Sequence, residues 1–135
     1  MAISIVQLGT PRERGEGIRL GTVRRPPRGV RKADYAKKGY YDVWLPNLSP
    51  SASLVKMGLG AADRGEWASF VRRFTAELRR PEASHLLDAL AALSHVADFS
   101  VGCYCEAEAR CHRSVLRREL TRRGAAIRRG PSTGV

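Results

Sequence analysis

The chain has 135 residues, a length that fits one folded domain, and its 43% hydrophobic and 27% charged residues are typical of a globular protein. The longest N-terminal apolar stretch, residues 3–8, is too short to span a bilayer or to act as a signal peptide, so we expect a cytoplasmic protein without a membrane partner. Three cysteines predict a reducing compartment and no disulfide framework. The net charge of +11 is concentrated in residues 1–40 and 101–135, and such a field attracts polyanions or phosphate-bearing ligands.

The first 50 residues predict three strands joined by irregular segments. Alternating or β-branched residues place these strands at Ile3 to Leu8, Ile18 to Arg24 and Tyr40 to Leu45. Between the second and third strands, the consecutive prolines of residues 25–29 exclude helix and predict an extended basic loop.

The middle of the chain predicts three helices, because its apolar residues recur at helical spacing. The helices are expected from a cap at Ser51 or Ser53 through Met57, from a cap at Asp63 to a stop at Pro81, and from Glu82 to Val96. The large aromatic residues of this region and of the third strand are expected in the core: Trp44, Trp67, Phe70 and Phe74.

The last third predicts a strand from Asp98 to Cys105, a loop, and a helix from Cys111 to about Arg123 that Gly124 ends. An edge strand at residues 125–127 and a frayed tail at 131–135 are expected after it. Strands that alternate with helices predict an α/β fold, in which residues 1–130 form a single layered domain with a small, mostly parallel sheet flanked by helices.

Residues 103–113 join the end of a predicted strand to the start of a helix and contain all three cysteines. In open α/β sheets ligands bind at such a junction. Cys111 opens the helix beside His112, and the helix dipole and nearby arginines should depress the pKa of its thiol. Consecutive helical residues point about 100° apart, so no direct bond between Cys111 and His112 is expected. Alternatively Cys105 is the nucleophile and Arg110 binds an anion, because Cys-x4-Arg before a helix is similar to the active loop of the sulfurtransferases known as rhodaneses.

The same segment allows two other interpretations. Cys103, Cys105, Cys111 and His112 would be enough ligands for zinc, but zinc sites usually join two distant ligand pairs, and here all four crowd into ten residues. The spacing therefore predicts no metal site and no cofactor. In the structural interpretation, Cys103 and Cys105 are small buried residues of a central strand and His112 forms a hydrogen bond in the core.

Arginines supply the candidate ligand-binding residues. The prolines between Arg25 and Arg28 stiffen the backbone, which suits a clamp for a phosphate or carboxylate group. Arg24, Arg28 and Arg113 form this predicted clamp. Arg19 and Ser51 are further candidate ligand-binding residues. A rigid basic surface loop is the alternative. The lysines and tyrosines of residues 32–41 also suit single-stranded nucleic acid.

Three groups of residues together resemble the bacterial domain-of-unknown-function 488 family. They are Glu16-Gly17-Ile18-Arg19 followed by Arg24 and Pro27-Arg28-Gly29; Trp44, Leu48, Pro50, Ser51 and Leu54; and Cys103 or Cys105 with Cys111-His112-Arg113 and Leu116. Val23 and Pro26 stand where the family pattern has an acidic residue and a tryptophan. The resemblance spans about residues 3–124 and implies a compact α/β fold in which the arginine loop and the Cys-His-Arg helix start lie together at one sheet edge. It implies no particular activity.

Three functions remain open on the sequence. The first is an α/β domain whose pocket binds a phosphate-bearing small molecule or nucleotide and whose thiols act as a nucleophile, with Cys111, Cys105 and His112 as the catalytic candidates. The second is a non-catalytic module that binds nucleic acid through its basic ends. The third is an interaction protein with no small-molecule site.

Overall fold

The computed structural model describes residues 1–129, so the tail expected at residues 131–135 lies outside the described part of the chain. Four strands and four α-helices are present in residues 1–129. In chain order they are β1 (Ile3–Gln7), β2 (Ile18–Gly21), β3 (Val43–Trp44), α1 (Ala52–Leu59), α2 (Arg64–Leu78), α3 (Pro81–Leu93), β4 (Phe99–Cys103) and α4 (His112–Arg122).

The four strands form one parallel sheet in the order β1-β4-β2-β3, which confirms the predicted α/β class. β4 lies between β1 and β2, with Phe99 opposite both Ile3 and Ile18. Its five residues are buried and uncharged, as expected of a central strand. Ile127 adds a parallel bridge to Ile3 at the outer edge of β1, where the sequence predicts an edge strand.

One face of the sheet forms the main core. Ile3, Leu20, Phe99 and Val101 project from this face and pack with apolar residues from all four helices. Phe70, Phe74 and Leu78 contribute the buried side of α2, at the helical spacing seen in the sequence.

The opposite face carries a buried ion pair. Arg19 and Glu16 are 1% and 2% exposed, and the Arg19 Nε lies 2.5 Å from a Glu16 carboxylate oxygen. Ser100 of β4 donates a hydrogen bond of 2.9 Å to the same carboxylate. Arg19 also donates to the backbone carbonyls of Thr10 and Gly39, so the two long N-terminal loops close over this face.

The strands next to the proline loop are shorter than predicted. β2 ends at Gly21 rather than Arg24, and β3 contains only two residues. The Tyr41 ring lies against Gly21, where a side chain would collide with it, so Tyr41 packs beside the sheet instead of extending β3. Trp44, expected in the core, is 43% exposed and is held by a hydrogen bond from its Nε1 to the Val23 carbonyl.

Three helix ends follow their sequence signals, whereas α1 ends at Leu59 rather than Met57 and α3 at Leu93 rather than Val96. The Asp63 carboxylate caps α2 by accepting from the Glu66 amide at 2.8 Å, and Pro81 occupies the first turn of α3. Gly124 ends α4 in the left-handed conformation, at φ 79°. Within residues 1–129, none of the helices has the length and apolar character that crossing a bilayer would require.

Candidate functional site

A cavity of about 280 Å³ opens at the carboxyl ends of β2 and β4, the edge of a parallel sheet where ligands usually bind. Its wall is mainly apolar and comes from α1 and α2, while the segments after β2 and β4 supply its polar groups. The residues that line it are Val23, Arg24, Arg25, Pro50, Ala52, Val55, Gly58, Leu59, Trp67, Phe70, Cys103, Tyr104, Cys105, Arg110, Cys111 and His112.

All three cysteines border this cavity. Cys103 ends β4 and Cys111 immediately precedes α4; both are 1% exposed, and their sulfur atoms lie in contact although their Cα atoms are 7.9 Å apart. The sequence predicts no disulfide framework, whereas the structure brings these two sulfur atoms within bonding contact across a loop, at a sequence separation of eight residues. Cys105 is free and half-buried, and burial raises the pKa of its thiol despite the nearby Arg113 charge.

His112 faces the sulfur pair with one nitrogen and the end of β2 with the other. Its Nε2 lies 2.7 Å from the Thr22 carbonyl, which only accepts hydrogen bonds, so Nε2 carries the proton and Nδ1 has a free lone pair. The Cys111 sulfur lies 4.0 Å from Nδ1. The sequence predicts no direct bond between these residues, and the two atoms come into contact because Cys111 has an extended backbone, at φ −128° and ψ 153°, and does not follow helical geometry. Burial lowers the pKa of His112 to about 4, so the ring is neutral at pH 7.

Two guanidinium groups lie at the cavity rim. Arg25 and Arg110 are exposed, and neither forms an ion pair with any residue in the range 1–129. Arg110 lies over the Trp67 ring at 5.3 Å from its centroid, a cation–π contact that ties the β4–α4 loop to α2. The Tyr104 hydroxyl donates to the Arg25 carbonyl at 2.8 Å, which fixes the backbone of Arg25 at the rim. Two cations therefore border a site that contains thiols.

A family model described as the active DUF488-N3 subclade, DUF488-N3a, matches residues 3–124. The chain belongs to the DUF488-N3a family. The match covers the three motif groups noted in the sequence, so the predicted resemblance to the domain-of-unknown-function 488 family is confirmed. No curated protein and no solved structure matches the chain significantly.

In this DUF488-N3a chain, Arg24 and Arg113 hold backbone segments beside the cavity. Arg24 lines the cavity, and its guanidinium donates to the carbonyls of Pro46, Ser49 and Pro50, which lead into α1. Arg113 is 3% exposed and donates to the Cys105 carbonyl at 2.6 Å, while its Nε has no partner among the described atoms. Burial lowers the pKa of Arg113, although the charge of Glu108 opposes that effect.

The other predicted ligand-binding residues of the DUF488-N3a chain do not line the cavity. Arg28 is exposed on the proline loop. Arg19 lies in the buried ion pair on the polar face of the sheet. Ser51 stands at the start of α1, where its amide donates to Glu77 and its hydroxyl forms no cap bond.

The sequence does not indicate the apolar wall of the cavity or the residue that orients His112. Trp67 and Phe70 have the spacing of core residues, and nothing in the sequence indicates that their side chains border a cavity. The Thr22 carbonyl is a backbone group, so no side-chain pattern identifies it. Arg110 has a sequence signal, because it closes the Cys-x4-Arg segment before α4.

Proposed function

We propose that the chain is a thiol-dependent enzyme that binds a small anionic molecule in the cavity at the β4–α4 junction. The observation that carries this proposal is that one cavity is lined by the free thiol of Cys105 and by two guanidinium groups, Arg25 and Arg110, without ion-pair partners in residues 1–129. An anion drawn to the rim would approach the sulfur. Such a cavity also argues against an interaction protein without a small-molecule site.

The size and wall of the cavity define the ligand. Pockets for drug-sized ligands are typically about 300–1,000 Å³, so a cavity of about 280 Å³ suits a small molecule. Val55, Leu59, Trp67 and Phe70 supply an apolar wall that suits a hydrocarbon or flat ring. The ligand would be a phosphate-bearing molecule, or another small anion, with an apolar part that packs against α1 and α2.

Cys105 is the favoured nucleophile because the other two sulfur atoms lie in contact with each other. The hydrogen bond from Arg113 to the Cys105 carbonyl holds the backbone that carries the thiol. Arg110 follows Cys105 by five residues and contacts Trp67 of α2. The loop that joins Cys105 to Arg110 therefore places the nucleophile and the cation at the same cavity. Cys111 with His112 remains the alternative catalytic pair, supported by their 4.0 Å contact.

The proposal is tested by alkylating the reduced protein with iodoacetate, an anion, and iodoacetamide, its neutral analogue, and by reading each cysteine by mass spectrometry. Cys105 should react preferentially with iodoacetate once intrinsic reactivity is corrected with a free thiol. Arg25→Ala and Arg110→Ala should each reduce that preference about fivefold, since one charge at about 4 Å contributes about 1 kcal/mol in water.

Arg118→Ala is the matched control, because Arg118 is exposed on α4 and does not line the cavity. It should leave the preference unchanged. Equal reaction of Cys105 with both reagents, or a preference that survives both rim substitutions, would contradict the proposal.

A further inference from the structure

Three side chains from two elements converge at the wall of the cavity. The sulfur atoms of Cys103 and Cys111 and a ring nitrogen of His112 all lie within 4.8 Å of one another. Cys103 comes from the end of β4, whereas Cys111 and His112 come from the start of α4. Thiolate sulfur and imidazole nitrogen are the ligands that zinc and other borderline or soft metal ions prefer. The fold therefore brings together a ligand set that the sequence spacing made improbable.

The orientation of His112 is that of a metal ligand. Because its Nε2 donates to the Thr22 carbonyl, the lone pair of Nδ1 is free on the side of the ring that faces the Cys111 sulfur. Metal-binding histidines nearly always donate their second N–H to a carbonyl or carboxylate, which fixes the tautomer. Thr22 is itself fixed to β4, since its amide and hydroxyl both donate to the Gly102 carbonyl, at 3.1 and 2.9 Å. The acceptor that orients the ring is thus part of the sheet.

The backbone separation of the two cysteines favours an ion between them over a direct bond. Their Cα atoms are 7.9 Å apart, and cysteines more than about 7 Å apart form a disulfide only if the backbone moves. A disulfide joins two cysteines through one sulfur–sulfur bond of about 2.05 Å. A metal ion joins them through two metal–sulfur bonds of about 2.3 Å each, so it can bridge cysteines whose backbones lie farther apart. No carboxylate belongs to the group, so the ligand set favours zinc over calcium or magnesium.

We propose that Cys103, Cys111 and His112 form a binding site for one zinc ion, whose fourth coordination position opens into the cavity. All three ligands line that cavity, so a water molecule or an anion held by Arg25 and Arg110 would reach the ion. Binding releases one proton from each thiol to the solvent, and the two thiolates balance the charge of Zn²⁺. Three protein ligands and one open position are the arrangement of catalytic zinc sites.

The experiment uses the full chain, purified under reducing and oxygen-free conditions, stripped with a chelator and titrated with Co²⁺ as a spectroscopic probe for zinc. We expect one equivalent of Co²⁺ to bind with a sulfur-to-cobalt charge-transfer band and tetrahedral ligand-field bands, and Zn²⁺ to displace it. Cys103→Ser, Cys111→Ser and His112→Gln should each weaken binding more than about 100-fold, because removing a ligand costs at least as much as removing its supporting partner. Cys105→Ser is the matched control and should retain one equivalent.

Circular dichroism establishes that each variant is folded, and if His112→Gln does not fold, the two serine variants decide. Absence of Co²⁺ and Zn²⁺ binding by folded protein with three titratable thiols would overturn the proposal. Binding that survives the loss of both Cys103 and Cys111, or that is lost in Cys105→Ser, would also overturn it. These results are independent of the alkylation preference of Cys105, so the zinc site and the proposed function can fail separately.

Discussion

At the scale of single residues, arginines in this protein have two different roles that the sequence does not separate. Arg19 and Arg24 donate to backbone carbonyls and hold loops, whereas Arg25 and Arg110 extend from the cavity rim without an ion-pair partner in residues 1–129. The sequence predicts that Arg19 and Arg24 bind a ligand, because arginine suits anions. It could not show that carbonyl oxygens from distant loops already occupy these guanidinium groups.

Replacing Arg19 should therefore destabilise the fold rather than act on a bound ligand. Arg19→Met leaves Glu16 buried without its partner, and breaking a buried ion pair costs about 3–5 kcal/mol. Urea unfolding should show this loss as a lower midpoint. Arg28→Met is the control, since Arg28 is exposed, and should change the free energy of unfolding by less than about 0.5 kcal/mol. A midpoint for Arg19→Met equal to that of the control would contradict the structural role.

The same ion pair predicts how stability depends on pH. Burial raises the pKa of the Glu16 carboxyl, but hydrogen bonds from Arg19, the Glu13 amide and Ser100 outweigh burial and hold the pKa below its ordinary value of 4.5. A lowered pKa in the folded state gives stability that is present above the unfolded pKa and is lost as the pH falls through the folded pKa. Urea midpoints should therefore fall below about pH 4.5. Arg19→Met should flatten that fall, and an equally steep fall in the variant would assign it to other carboxylates.

At the scale of elements, sequence patterns predicted the helices better than the short strands. α2 has apolar residues at helical spacing and a capping aspartate, so local signals determine it. β3 looked like a six-residue strand because Tyr40 and Tyr41 favour strands, but the Tyr41 ring packs against Gly21 and only Val43 and Trp44 pair with β2. The contact between Tyr41 and Gly21 joins residues that are twenty positions apart, and the hydrophobic periodicity of the sequence carries no information about such a contact.

One buried side chain, that of Arg113, holds the backbone at the start of the loop from β4 to α4. Arg113→Met removes hydrogen bonds to the carbonyls of Cys105 and Glu106, and bonds from a charged donor contribute about 1.5–3 kcal/mol each. Amide hydrogen exchange in residues 104–110 should accelerate about tenfold or more, with a smaller change in the sheet. Arg118→Met, on the same helix, should leave exchange in the loop unchanged. Unaltered exchange in Arg113→Met would mean that other contacts order this loop.

At the scale of the whole molecule, much of the basic charge near the two ends of the chain is already paired. Arg12 binds Asp42, Arg117 binds Glu108, and Arg123 binds both Asp88 and Glu119. The sequence showed an uneven charge and could not show these partners. A surface whose cations are partly neutralised by its own carboxylates is a weaker polyanion-binding surface than the number of its basic residues suggests.

We therefore expect only weak, non-specific binding of DNA and RNA. Binding measured by fluorescence anisotropy should fall steeply between about 50 and 200 mM salt and should show little preference for sequence. The cavity variant Arg110→Ala and the surface variant Arg118→Ala should weaken it equally, because each removes one cation. Tight binding at physiological salt, with an affinity that still falls steeply as salt is added, would instead favour the nucleic-acid module over the proposed enzyme.

The cavity joins segments that are far apart in the chain: the end of β2, the α1–α2 pair and the β4–α4 junction. The sequence indicated the third segment through its cysteines and part of the first through its arginines. It could not indicate the second, because the apolar residues of α1 and α2 that face the cavity have the same pattern as those that face the core.

The position of Trp67 gives the protein an intrinsic optical signal. The chain has two tryptophans: Trp44 lies near the surface, while Trp67 stacks on Phe70 at 4.8 Å, lies beneath the Arg110 guanidinium and borders the cavity. In a Trp44→Phe variant, all tryptophan fluorescence would come from Trp67 in the wall of the cavity. A molecule entering the cavity would change the polarity around the indole and displace or tighten the cation above it, so its arrival could be followed in real time without a label.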